Sequence, residues 1–149
     1  MAQFDLERFV AAQQPIYPTV TAELRAGRKQ SHWMWFVFPQ IAGLGNSEMA
    51  KRYAIASLEE ARAYLAHTVL GQHLRECTAL VLEVKDKSAD DIFGHPDTLK
   101  FRSCMTLFAH AAPEDTETAF RGALDRFFNG QDDATTVAKL EHQKRARPR

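Results

Sequence analysis

The chain has 149 residues, enough for one domain that buries about two thirds of its unfolded surface without metal or disulfide help. Hydrophobic residues make up 45% and charged residues 26%, the balance of an ordinary globular protein rather than a disordered or membrane-embedded one. The 19 Lys and Arg match the 19 Asp and Glu, but Lys144, Arg145, Arg147 and Arg149 lie in an acid-free tail, so residues 1–143 carry 15 basic against 19 acidic groups. Such a body is a poor general binder of nucleic acid, which needs a cationic face.

The predicted elements are helical almost throughout. Asp5 is placed to cap a short helix carrying Leu6, Phe9 and Val10 on one face, ended by Gln13-Gln14-Pro15. A second follows Tyr17-Pro18, with Val20 and Leu24 inward and Gly27 as its stop. The run Trp35-Phe36-Val37-Phe38 is the one strand-like stretch. With no partner strand, it is expected as buried extended chain or a short helix. Ser47 starts a helix running to about Ile55, and Ser57-Leu58-Glu59-Glu60 has the spacing of a capping box.

The clearest helix covers about Val69 to Lys85, with Leu70, Leu74, Cys77, Val81 and Val84 on one stripe. Ser88 to Phe93 reads as a short turn of helix stopped at Gly94. His95-Pro96-Asp97 launches another, with Phe101, Cys104, Met105, Phe108, Ala111 and Ala112 inward. A helix from Asp115 carries Phe120, Ala123, Leu124 and Phe127, and the last spans about Asp133 to Gln143. The expected fold is all-α: a compact multihelical single domain over residues 1–143, without significant sheet, followed by a basic disordered tail at 144–149.

Cys77 and Cys104 lie inside helical patterns without metal-ligand spacing and are expected as reduced core residues. The opening residues do not read as a signal peptide, and no run approaches the roughly 18 apolar residues of a membrane span. The expected location is the cytoplasm, with no membrane partner, no metal and no cofactor. Oligomeric state is not legible.

Two segments concentrate chemistry. The first, Arg25 to Asn46, holds both tryptophans, three cations and a histidine, with no acid between Glu23 and Glu48. Arg25, Arg28, Lys29, Ser31 and His32 around Gly27 suit a phosphate or carboxylate, or are solvated charges favourable near a helix C-terminus. Trp33 and Trp35 offer flat faces for a planar group whose edge Gln40 reads, or they fill a core. Phe36 and Phe38 fit core packing better. Gly43-Leu44-Gly45-Asn46 makes a turn into the helix at Ser47, as an anion site or a plain cap.

The second segment is Asp90-Asp91-Ile92-Phe93-Gly94-His95-Pro96-Asp97, followed by Lys100, Arg102 and Ser103. Asp91 and His95 suit acid–base work on a ligand, while Asp97 and Pro96 also suit helix capping. No catalytic triad is visible.

The strings Gly27-Arg28-Lys29-Gln30-Ser31-His32-Trp33-Met34-Trp35-Phe36-Val37-Phe38-Pro39-Gln40, Met49-Ala50-Lys51-Arg52-Tyr53-Ala54-Ile55 and Asp91-Ile92-Phe93-Gly94-His95-Pro96-Asp97 onward to Phe108 resemble a bacterial domain-of-unknown-function family, number 1810, often mislabelled calpastatin. The resemblance runs from about Phe4 to Leu140 and implies a compact helical protein without an established activity. The calpastatin label does not fit a chain with a core, because calpain inhibitors of that kind are long and disordered. Asp91-Ile92-Phe93-Gly94 followed by a helix with Met105 is also similar to helical N-glycosidase domains acting on ADP-ribose-type nucleotides, although no matching catalytic glutamate is evident.

Two functions of different class therefore compete. One is a site for a small anionic, nucleotide-like ligand formed by Arg28, Lys29, His32, Trp33, Trp35, Gln40 and Asp97, with Asp91 and His95 exchanging protons if hydrolysis occurs. The other is a structural or interaction module whose aromatic segment is simply core. The first requires both segments to converge on one cleft.

Overall fold

The computed structural model describes residues 4–113 and 117–146, with side chains to Arg145. Among the described residues ten helices follow one another: α1 (Glu7–Gln13), α2 (Tyr17–Arg25), α3 (Met34–Val37), α4 (Glu48–Arg52), α5 (Leu58–Ala66), α6 (Thr68–Glu83), α7 (Ala89–Phe93), α8 (His95–Ala111), α9 (Ala119–Phe128) and α10 (Ala134–Ala146). Among the described residues there is no sheet, only one parallel bridge between Ile41 and Ile55. The all-α expectation stands.

The centre is α8, packed against α9, α5, α7, α10 and α3. Its stripe of Phe101, Cys104, Met105 and Phe108 is fully buried, as the helical spacing predicts. Rings from four elements meet along it. Phe38 stands edge-on to both Phe93 and Phe101, Phe93 stacks on Phe101, and Phe108 packs against Tyr64 and Phe120. Offset and edge-on pairs of this kind add to the area they bury. Thr98, Ser103 and Thr106 are buried on the same helix and turn their hydroxyls back to the carbonyls of Gly94, Leu99 and Arg102.

Several local expectations need correction. Asp5 does not cap α1: the N-cap position belongs to Leu6, in helical conformation and without a side-chain bond. The helix begun by Ser47 ends at Arg52 rather than Ile55, because the Ile55 N–H donates to the Gln40 carbonyl at 2.8 Å. Only half of a capping box forms at Ser57. Its hydroxyl accepts from the Glu60 N–H, but the Glu60 carboxylate takes the Ala56 N–H instead.

Aromatic residues 35–38 do not form extended chain; Met34–Val37 close one helical turn, the second of the two expected forms. Asp115, the expected start of the next helix, lies outside the described residues, and the described part of α9 begins at Ala119. The expected tail is partly helix, since α10 continues through Lys144 and Arg145 to Ala146. Residues 147–149 lie outside the described residues. Cys77 and Cys104 are both free and buried, as expected. No helix among the described residues is long and apolar enough to cross a membrane.

Candidate functional site

The first segment folds around a residue that its composition only hints at. Glu23, on the last turns of α2, turns its carboxylate back on the loop that follows. It accepts hydrogen bonds from the Gln30 N–H (2.8 Å), the Ser31 N–H (3.1 Å), the Trp33 Nε1–H (2.9 Å) and the Ser31 hydroxyl (2.5 Å). Partial burial opposes ionisation, but these four donors outweigh it and hold the carboxyl at about 2. Gly27, at φ +72°, makes the reversal possible; a β-carbon there would also press on Val84 at 3.0 Å.

The same loop splits its cations. Arg28 and His32 are exposed, whereas Lys29 turns inward with its side chain only 6% accessible. Lys29 donates its backbone N–H to the Ile92 carbonyl at 2.7 Å. Its ammonium lies 5.1 Å from the Trp33 ring and 2.8 Å from Asp97 Oδ2. Asp97 also receives Lys100 Nζ at 3.2 Å on its other oxygen. Two ammonium groups thus share one carboxylate, and the two chemistry-rich segments are joined through it.

The tryptophans separate in the same way. Trp33 is 1% exposed, with its indole N–H spent on Glu23, so it offers no face to a ligand and is a core residue. Trp35 is only half-buried and lines a cleft of about 530 Å³, within the range of small-molecule sites. Gln40 lines it too, its backbone fixed by the bonds around the Ile41–Ile55 bridge. Leu99, Lys100 and Ser103 of α8, Asp133 before α10 and the 44–47 turn line it as well.

The remaining expected residues lie elsewhere. Asp91 completes a capping box with Ser88 on α7, exposed to solvent. The Ser88 N–H and hydroxyl hold its carboxyl below the usual range, against slight desolvation. His95, the first residue of α8, is exposed. Neither these two nor Arg28, Lys29, His32, Trp33 and Asp97 are in the wall of this cleft. Of the expected residues only Trp35 and Gln40 line the cleft; Asp97 and, behind it, Lys29 are tied to it through the Lys100 ion pair rather than facing it.

Sequence reasoning missed Glu23 and Asp133. Glu23 is the last acid before 24 acid-free residues, which makes it the nearest anion for the loop's donors. Asp133 reads as an ordinary helix start, and nothing in its neighbourhood announces that α10 begins at the cleft edge. Among the described residues no group of acids, histidines and cysteines is placed to hold a metal.

Fold and cleft define a small helical protein with a polar and aromatic cleft lined by one loop and by residues of α3, α4, α8 and α10. The chain belongs to the family described as "Protein of unknown function (DUF1810)", whose model matches residues 3–140. It is also similar to the conserved hypothetical protein Rv1873 from Mycobacterium tuberculosis, known from a crystal structure. Identity is 56% and the TM-score 0.90, over 93% of this chain and 97% of that one. No curated protein matches.

Proposed function

We propose that the chain binds a small anionic ligand with a planar group, of nucleotide-like chemistry, in the cleft between Trp35 and Lys100. The observation that carries this reading is the make-up of one wall-to-wall space: a half-buried indole, an amide, an ammonium and an exposed leucine. Leu99 is 53% exposed, and among the described residues Val69 is the only other large hydrophobic side chain so placed. An exposed leucine in a cleft that a tryptophan also lines is suited to covering a flat group.

Lys100 supplies the anion contact. It shares Asp97 with Lys29, so the triad of charges keeps one positive charge in excess, and Lys100 is the member on the cleft side. Lys29 acts from behind by occupying the other oxygen of Asp97. Gln40 offers both an acceptor and a donor to the edge of the planar group. Asp91 and His95 stand outside the wall, so no proton transfer is assigned to them and the reading is one of binding rather than hydrolysis.

The test is a thermal-shift and calorimetric screen of the full chain against adenosine, guanosine, cytidine and uridine monophosphates and their parent nucleosides. A ligand present at 100 times its dissociation constant adds about 2.7 kcal/mol to stability. Monophosphates are expected to stabilise the chain more than nucleosides, and Lys100→Ala to remove that difference. Absence of any shift across the panel would contradict the reading.

A further inference from the structure

Resting on that reading of the cleft, we infer that Asp133 recognises sugar hydroxyls and makes the site selective for ribonucleotides over deoxyribonucleotides. Asp133 lines the cleft and is half-buried. Its backbone N–H donates to the Thr106 hydroxyl at 2.9 Å. Its Oδ2 accepts from the Thr136 N–H at 3.0 Å, the Thr136 hydroxyl at 2.6 Å and the Ser103 hydroxyl at 3.2 Å. Three of these bonds lock the residue in place, and the Ser103 hydroxyl shares its one proton between Asp133 Oδ2 and the Leu99 carbonyl.

All three side-chain bonds fall on one oxygen. Oδ1 has no hydrogen-bond donor among the described residues. No ion pair joins Asp133 to Lys100 either, although both line the same cleft; Lys100 is paired with Asp97. A rigid carboxylate with one uncommitted oxygen accepts hydrogen bonds and donates none, so its partner must bring O–H or N–H groups. A carboxylate reading a ribose hydroxyl is an established solution to that requirement in other nucleotide sites. The cleft therefore presents a cation for a phosphate, a ring face and an amide for a base, and an acceptor for the sugar between them.

Asp133 also caps α10 through the Thr136 N–H, and the test has to keep that role. Asn is as good an N-cap as Asp, so Asp133→Asn retains an acceptor for Thr136 while turning the other cleft atom from acceptor to donor. Calorimetry on the full chain would compare each ribonucleoside monophosphate that binds with its 2′-deoxy analogue, in wild type and Asp133→Asn. The ribonucleotide is expected to bind about tenfold or more tightly in wild type, the scale of one hydrogen bond to a charged group. In Asp133→Asn the preference should fall several-fold, because the hydroxyl can then only accept from a neutral amide in place of donating to a carboxylate, with an unchanged far-UV spectrum. Equal binding of both sugars by wild type, or preserved selectivity in a folded Asp133→Asn, would overturn the inference and leave the binding site standing. Failure of every nucleotide to bind wild type would overturn both.

Discussion

Residues 23–34 and residues 35–47 are consecutive in the chain, yet they use their polar groups in opposite ways. The first stretch closes on itself. Glu23 takes four donors from its own loop, Lys29 is turned in against Trp33 and Asp97, and Trp33 is buried. The second stretch stays open, with the half-buried Trp35, Gln40 and the 44–47 turn lining a cleft. A loop rich in cations and rings is therefore not one site. Half of it builds the support that positions the other half, as a functional constellation on a small scaffold requires.

The sharpest way to break this comparison is to truncate each tryptophan in turn. Trp33→Ala removes a large buried ring and should cost about 3–5 kcal/mol in chemical denaturation. Trp35→Ala should cost clearly less, because its ring is only partly removed from water, while abolishing nucleotide binding. Similar losses of stability from the two variants would erase the distinction.

Glu23→Gln comes next. It keeps the shape but loses the charge and replaces one acceptor by a donor, which should cost about 1.5–3 kcal/mol at neutral pH. The contribution of the ionised Glu23 is also pH-dependent. Its folded value of about 2 lies below the ordinary 4.5, so the stabilisation is complete above pH 4.5 and is lost as pH falls towards 2. Urea unfolding at stepped pH should show the gap between wild type and Glu23→Gln closing across that window. A constant gap would show that the carboxylate is not what organises the loop.

Smaller effects on stability sharpen the open side. Lys100→Ala breaks one partly exposed ion pair and should change stability by about 1 kcal/mol or less. Its effect on monophosphate affinity should be larger, about 1.5–3 kcal/mol for a charge-assisted hydrogen bond. Asp91→Asn is expected to leave binding unchanged, since the residue is spent on capping α7. A weakened ligand with that variant would return Asp91 to the site.

The contrast also explains what was legible in the sequence. Long helices declared themselves, because the stripes of α6 and α8 are dictated by burial and repeat at helical spacing. Short-range competition was less readable. Ile55 was misplaced because the choice between helix and bridge is made by a partner outside its own helix, the Gln40 carbonyl that takes the Ile55 N–H. The site followed the same rule. Trp35 and Gln40 stood out by type, but Arg28 and Lys29 are neighbouring cations that composition cannot rank. The bond from the Lys29 N–H to Ile92 belongs to the arrangement that turns one inward and leaves the other in water. Asp133 was invisible because its role depends on where α10 begins relative to α8.

The central claim is that ligand meets Trp35 and not Trp33, and the chain's two tryptophans allow it to be measured directly. Intrinsic fluorescence of wild type, Trp33→Phe and Trp35→Phe would be followed during titration with a ribonucleoside monophosphate that stabilises the wild type. Quenching should appear in wild type, persist in Trp33→Phe, and vanish in a folded Trp35→Phe. Undiminished quenching in Trp35→Phe, or its loss in a folded Trp33→Phe, would place the ligand on the closed half of the loop and contradict the account.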